Sequence, residues 1–361
     1  MAGGRLSEAL EVGEPARLFG MRFGLALPHY DFSLPGLRSI DWPFVRDWAQ
    51  RAEELGFDSV WISDHLSLDL GKYGGPAEPR GTLECFTTLA ALAVAVKKVR
   101  LGTLVACNDL RSPVLVARMA ATIHLISGGR FELGMGAGWY VGDYLATGFP
   151  FDPPRVRIER LAEAVQIILG MLSSPSAFSF TGRHYRVREA CNLPAPAGSP
   201  RPSVWVGGKG DRVVAVAGRY ADGFNTVWAA TPESYGGRIE HLERAALAAG
   251  RDPRALRRSL GLYALPGADQ AELSGRWNRY LAANPGIGSG VRLEDWAADK
   301  LSGPPEAMAE RIRAFQAAGV EEVILSFGLV PFQIADASAV EIVTSKVFPL
   351  VRGGRTREET T

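Results

Sequence analysis

The stretch from residue 99 to residue 140, VRLGTLVACNDLRSPVLVARMAATIHLISGGRFELGMGAGWY, constrains the fold more than any other part of the chain. It reads as strand, polar break, helix, glycine turn, strand, and a glycine-rich exit onto an aromatic pair. That is one complete β-α-β unit. Ser112 stands where a hydroxyl caps first-turn amides, and Pro113 fits the first helical position, where a missing N–H loses no partner. Leu115, Val116, Met119, Ala120, Ile123 and Ile126 recur at helical spacing and predict one buried stripe. Gly128 and Gly129 allow a left-handed stop. Both strands are almost continuously apolar, as a parallel sheet covered on both faces requires. Ligands in such folds sit just past the carboxyl ends of strands, where this unit carries its least ordinary residues.

The same alternation runs through the chain. Strands at 22–27, 58–62, 203–206, 222–227, 259–264 and 322–327 join the two above. Between them, Asp41 precedes a stripe of Phe44, Trp48, Ala52 and Leu55 that stops at Gly56. Further helices are expected at 83–97, on the stripe Ile158, Leu161, Val165 and Ile168, at 213–220 and 234–249, on Met308, Ile312 and Phe315, and at 339–350. Eight strands alternating with helices predict a closed (β/α)8 TIM barrel rather than an open sheet. It is expected as one domain over 21–352, with insertions near 66–81, 173–202 and 265–303 at the C-terminal rim. A leader over 1–20 and a tail over 353–361 flank it.

A chain of 361 residues suffices for such a barrel, and its formal net charge of +1 gives no electrostatic case for nucleic acid or an anionic membrane. Cys85, Cys107 and Cys191 are too scattered for a disulfide framework. No apolar run approaches a membrane span and no signal-peptide core is visible, so a cytoplasmic protein is expected.

Familiar chemistry is mostly excluded. Gly136-Ala137-Gly138 followed by Gly142 lacks the dinucleotide spacing and follows the fourth strand, not the first. Gly207-Gly208-Lys209-Gly210 has no hydroxyl residue after its lysine, so it is no Walker loop. There is no Gly-x-Ser-x-Gly elbow, and the histidines lack zinc spacing, so no metal is expected. What remains is an array at strand ends: His29, Asp64-His65, Cys107-Asn108, the run from Gly136 to Trp139, the run from Gly207 to Gly210, Asn225 and Trp228. In a barrel these converge on one rim. The glycines let backbone N–H groups approach a ligand closely, and a nest feeding a helix near Asp211 suits a phosphate.

These residues carry a resemblance. Trp61-Ile62-Ser63-Asp64-His65, the Leu-Gly-Thr strand, Ile126-Ser127-Gly128-Gly129-Arg130, the run from Gly136 to Tyr140, and Val206-Gly207-Gly208 resemble the luciferase-like monooxygenase superfamily, most of all its branch that uses the deazaflavin coenzyme F420. The match covers about residues 20–230 in order, and the C-terminal third more loosely. The resemblance implies a bacterial-luciferase-like barrel holding a deazaflavin across its rim, with a non-prolyl cis peptide at Leu104-Val105. It places cofactor contacts at Asp64, Leu104, Val105, Cys107, Asn108, Gly136, Ala137, Gly138, Trp139, Gly207, Gly208, Lys209 and Gly210. Catalytic work falls to His65 and Asp64, and the substrate pocket to His29, Trp139 and Trp228. His65 is the first candidate for proton transfer because an imidazole titrates near neutral pH. Two departures stand out: an acid usual directly after Trp-Tyr is displaced here to Asp143, and Trp139 stands where sugar-phosphate members carry a glutamate. An apolar or aromatic small-molecule substrate is therefore expected. Hydride exchange with coenzyme F420 is the favoured activity. The alternatives are an FMN-dependent monooxygenase and a non-catalytic flavin or deazaflavin carrier. A homodimer is expected from related barrels.

Overall fold

A computed structural model describes residues 20–37, 39–174, 176–194, 200–228 and 230–353. The eight expected strands form as β1 (Arg22–Ala26), β2 (Ser59–Ile62), β3 (Arg100–Thr103), β4 (Phe131–Gly136), β5 (Ser203–Gly207), β6 (Gly223–Thr226), β7 (Arg257–Pro266) and β8 (Glu322–Ser326). Each pairs in parallel with its sequence neighbours. β8 returns to β1 with Arg22 opposite Glu322, so the sheet closes into a (β/α)8 barrel. Closure removes both sheet edges and points every strand's carboxyl end at one rim.

The outer ring is α1 (Trp42–Glu54), α2 (Cys85–Ala95), α3 (Pro113–Ile126), α4 (Pro154–Ser173), α5 (Asp211–Tyr220), α6 (Pro232–Ala248), α7 (Pro305–Ala317) and a final helix, Ala337–Ile342, that continues through a π turn into Phe348–Arg352. Asp41 caps α1 by accepting from the Phe44 amide. Ser112 occupies the corresponding position of α3 but its hydroxyl makes no capping bond, so Pro113 alone sets that start. The buried stripe of α3 also differs from expectation. Val116, Ala120 and Ile123 are buried, joined by Ala117, Ala121 and His124, whereas Leu115 and Ile126 are 51% and 47% exposed. The helix packs against the sheet and lies between α2 and α4, so Ala117 and Ala121 turn inward with Val116 and Ile123, while Leu115 and Ile126 at the edge of the stripe are left outside.

Inside the barrel, Trp61 and Trp205 cross edge to face with ring centroids 6.3 Å apart. They fit because their strand neighbours are glycines: a Cβ on Gly102 would lie 2.2 Å from Trp61, and one on Gly223 2.3 Å from Trp205. These indoles plug the barrel beneath the rim. Above them lies a second apolar cluster that includes Tyr30, Leu104, Leu265, Trp277 and Phe332.

The rim segments have structure that periodicity did not show. Residues 66–81 are pinned by a bridge between Leu68 and Arg80. Within 173–202, Phe178–Thr181 pairs antiparallel with Arg186–Ala190. Within 265–303 lie two helices, Gln270–Ala282 and Leu293–Ala297, and a strand, Leu301–Gly303, that pairs in parallel with the end of β7. A short helix, Val141–Thr147, follows β4. Among the described residues no helix is long and apolar enough to cross a membrane. The expected leader and tail lie outside the described residues, apart from Gly20 and Gly353.

Candidate active site

The strand carboxyl ends surround one cavity of about 330 Å3, a size usual for small-molecule sites. Its floor is built where β3, β4 and β5 end. Leu104 and Val105 are joined by a cis peptide, at the position the resemblance gives, and a second non-prolyl cis bond joins Val227 to Trp228. The Val105 side chain stands as a ridge between the ends of β4 and β5. A Cβ on Gly136 would lie 2.5 Å from its methyl carbon, and one on Gly207 would lie 2.7 Å away. Gly138 turns away at φ +71°, where a Cβ would meet the Tyr144 hydroxyl and the Cys107 sulfur. The result is a flat, side-chain-free cradle against one valine.

His65 leaves the end of β2 and lines the cavity, flanked edge to face by Trp139 at 5.4 Å and Tyr140 at 5.6 Å between ring centroids. Its Nδ1 lies 2.7 Å from Asp143 Oδ2. Asp143 Oδ1 accepts the Leu66 amide at 2.9 Å, so one buried carboxylate grips both the ring and the backbone beside it. Asp64, in contrast, is bound at 2.7 and 3.0 Å by Arg111 and accepts the Cys107 amide at 2.9 Å. Burial pushes its carboxyl upward, and the Arg111 guanidinium and its hydrogen bonds pull against that shift. Asp64 lines the cavity beside His65, and its carboxylate, engaged by Arg111 and the Cys107 amide, fixes the loop after β3.

His29 is also reassigned. It is 1% exposed and lies behind the cavity wall rather than on it. Its Nδ1 donates to the Leu27 carbonyl at 2.7 Å and its Nε2 accepts the Ser63 amide at 3.3 Å. Both nitrogens are thus committed to the neutral ring, and burial lowers its pKa to about 3. The hydroxyl it supports, Ser63, bonds Tyr30, and these two residues face the cavity in its place.

Of the other expected contacts, Leu104, Val105, Cys107, Gly136, Gly138, Trp139, Gly207, Gly208, Lys209 and Trp228 line the cavity. Asn108, Ala137 and Gly210 do not. Asn108 is turned to Asp109 and Tyr185, and the Ala137 carbonyl accepts from Arg157. Gly210 is the residue before α5 and offers backbone only. Burial lifts the Cys107 thiol to about 11, which keeps it protonated and unreactive. Lys72, Tyr73, Pro331 and Phe332 were not singled out from the sequence; the first two reach the cavity from the loop at 66–81, which the sequence does place at the rim, and the last two from the loop after β8, which nothing in the sequence marked.

The cavity is electropositive on one side. Lys72 Nζ stands 3.7 Å from the Trp139 ring centroid. The Lys209 ammonium is lowered by burial and by the nearby charges of Arg238, Lys72 and Lys300. Beside it, α5 begins with no side-chain cap on its first amides. The Gly208 amide already donates to the Asn225 carbonyl at 3.1 Å, so an anion nest here starts at Lys209.

A barrel of this topology with this rim defines a family. The chain belongs to the luciferase-like monooxygenase family, whose sequence model matches residues 21–322. It is 33% identical over 226 residues to an F420-dependent hydroxymycolic acid dehydrogenase of Mycobacterium tuberculosis, covering 62% of this chain and 59% of that one. A phthiodiolone/phenolphthiodiolone dimycocerosates ketoreductase of Mycobacterium bovis is 30% identical over 253 residues, covering 66% and 63%. The chain thus spans about three fifths of the length of these curated relatives. Among solved structures, an F420-dependent secondary alcohol dehydrogenase superposes with a TM-score of 0.73 at 22% identity, covering 92% of this chain and 99% of that one. An EDTA monooxygenase from Chelativorans sp. superposes at 0.74 with 17% identity, covering 92% and 94%. Both show the shared fold.

Proposed function

We propose that the chain is an oxidoreductase that uses coenzyme F420 to exchange a hydride with a carbinol or carbonyl carbon of an organic substrate. The observation that carries this reading is the meeting, in one cavity, of the glycine cradle against Val105 with a single imidazole held by Asp143. The cradle fits a flat ring: the ends of β4 and β5 approach Val105 so closely that any side chain there would fill the space. The uncapped start of α5 and Lys209 fit a phosphate. Relatives named as an F420-dependent dehydrogenase and a ketoreductase support carbonyl–alcohol chemistry.

Bound there, the deazaflavin supplies the two-electron hydride chemistry. The protein's own work is orientation, exclusion of water and proton handling. Gly136, Gly207 and Val105 would hold the ring, and the amides from Lys209 onward would hold the phosphate. His65 would hold or accept the proton of the substrate oxygen at Nε2. Tyr73, Trp139, Trp228 and Phe332 form an aromatic wall, which suits an apolar or aromatic substrate and keeps water out.

Titration of the purified protein against coenzyme F420 and FMN tests the reading. The deazaflavin is expected to bind about tenfold tighter or more, a gap of about 1.4 kcal/mol. Equal affinities, or FMN copurifying at full occupancy, turn the reading to a reduced-flavin monooxygenase. Tight deazaflavin binding without turnover of any alcohol or ketone turns it to a carrier.

A further inference from the structure

We propose that Asp143 is a positioning residue: it holds the proton of His65 on Nδ1 and presents a bare Nε2 to the substrate oxygen. This rests on the reading of the cavity as a hydride-transfer site. The two side chains are 78 residues apart in sequence and meet at 2.7 Å. Asp143 is 2% exposed, and each of its oxygens has one partner, the His65 ring and the Leu66 amide. An ionised carboxylate only accepts hydrogen bonds, so the proton between Oδ2 and Nδ1 belongs to Nδ1. In the neutral ring Nε2 then carries a lone pair, and among the described residues it has no hydrogen-bond partner. Trp139 and Tyr140, both edge-on to the ring, hinder its rotation.

The neighbouring acid cannot do this. Asp64 directly precedes His65, but Arg111 and the Cys107 amide consume its carboxylate. The structure therefore assigns the task to the acid on the short helix after β4.

The consequence is a defined proton step. In alcohol oxidation His65 Nε2 would take the proton as the O–H bond breaks, and a deazaflavin held by Gly136, Gly207 and Val105 would supply the acceptor for the hydride that leaves the carbinol carbon. The imidazolium so formed is neutralised by Asp143. Carbonyl reduction runs the same transfers in reverse: oxygen takes the Nε2 proton and carbon takes the hydride. A histidine oriented by a carboxylate is the usual way to fix which nitrogen does chemistry.

Nitrogen-15 NMR of the ligand-free protein, with the His65 signals assigned by comparison with His65→Gln, reads the tautomer directly. In the neutral ring, protonated Nδ1 and bare Nε2 are expected; a neutral ring protonated on Nε2 alone overturns the proposal without any Asp143 variant. Asp143→Asn, whose amide offers a donor to Nδ1, is expected to shift the ring toward the other tautomer. Its turnover should fall about 10- to 100-fold. Coenzyme F420 affinity should stay within threefold, and Asp143→Glu should recover the tautomer and part of the rate. Loss of affinity in step with turnover in both variants would mean a merely structural role and overturns the proposal. If the tautomer behaves as expected but no alcohol or ketone is ever turned over, the orienting pair stands and the hydride-transfer reading fails.

Discussion

The two ends of the barrel use charge in opposite ways. At the amino ends of the strands, Arg100 bonds Glu132 and lies 2.9 Å from Glu322, Arg257 reaches Glu132 at 3.0 Å, and Arg22 meets Glu321 at 3.1 Å. Ser59 donates to Glu322 and Trp61 to Ser59, so the lattice ties directly into the indole plug. At the carboxyl ends, Lys72 and Lys209 line the cavity and, among the described residues, neither has a carboxylate within ion-pair distance and His65 Nε2 has no hydrogen-bond partner. One end is closed on itself and the other is left open to a visitor. Stability and chemistry are thereby separated along the barrel axis, and each end should break differently.

The largest effect is expected at the open end. His65→Ala should lower turnover by roughly 10²- to 10⁴-fold, the usual worth of a positioned acid or base, while cofactor affinity changes only a few fold. Thermal stability should hardly move, since removing the ring leaves a space already open to the cavity. His65→Gln, which keeps a hydrogen bond but cannot titrate, should be nearly as slow. Full activity in that variant would remove His65 from the proton step.

At the closed end the reverse is expected. Glu322→Ala removes one of the two carboxylates beside Arg100, which keeps Glu132, and the acceptor of the Ser59 hydroxyl. The expected cost is about 1–3 kcal/mol of unfolding free energy. Chemical denaturation should show it, while the turnover of the molecules that remain folded is unchanged. A variant as stable as the parent would mean that solvent reaches this lattice and that the contrast between the ends is false.

How much of this was legible beforehand follows from the range of each interaction. Strand ends and their glycines could be read because alternation and turn chemistry are local: Gly136, Gly138 and Gly207 were placed from neighbours a few residues away. The plug could not be read in full, since pairing Arg22 with Glu322 across the closure needs the register of the last strand on the first. The partner of His65 was hidden for the same reason. Asp143 was noticed as an acid out of register, but only the packing of the short helix onto the loop at 66–81 shows where its carboxylate goes. The engagement of Asp64 is hidden in the sequence because Arg111, its bidentate partner, lies in the polar break after β3, where nothing local says which way it turns. On α3, periodicity found the helix and the centre of its buried face, Val116, Ala120 and Ile123, but not its edges, because Leu115 and Ile126 fit the spacing as well as the alanines that are buried.

The open end also holds a buried group that pH should expose. His29 is neutral in the fold with a pKa of about 3, against about 6.5 in the unfolded chain. Between those values the unfolded chain binds the proton and the fold does not. Its contribution is therefore complete above about pH 6.5 and is lost as pH falls toward 3, a drop of order a few kcal/mol. Glu132 behaves differently: burial pushes its carboxyl up, but Arg100 and Arg257 outweigh this and hold it below its ordinary value. Its contribution is lost only at still more acid pH. In His29→Gln the decline of melting temperature should therefore begin nearer pH 4.5 than 6.5. An unchanged profile would place the acid sensitivity elsewhere.

The smallest effect is the most diagnostic of an open end that awaits an anion. Lys209 is repelled by Arg238, Lys72 and Lys300, and Asp299 acts against them. Without a ligand those cations work against one another, so Lys209→Gln should leave the melting temperature of the free protein unchanged or slightly raised. With a phosphate-bearing cofactor the same lysine becomes an asset, and its loss should weaken binding about fivefold, on the order of 1 kcal/mol. The stabilisation that saturating cofactor confers should shrink by the same amount. Gly208→Val is the poorer probe, because its Cβ would lie 2.8 Å from a Val213 methyl carbon and disturb α5 itself. Gly210→Ala meets nothing within 4 Å and should spare the fold. If Lys209→Gln destabilises the free protein and leaves cofactor affinity intact, the lysine belongs to the scaffold, and the amides at the start of α5 would have to hold the phosphate alone.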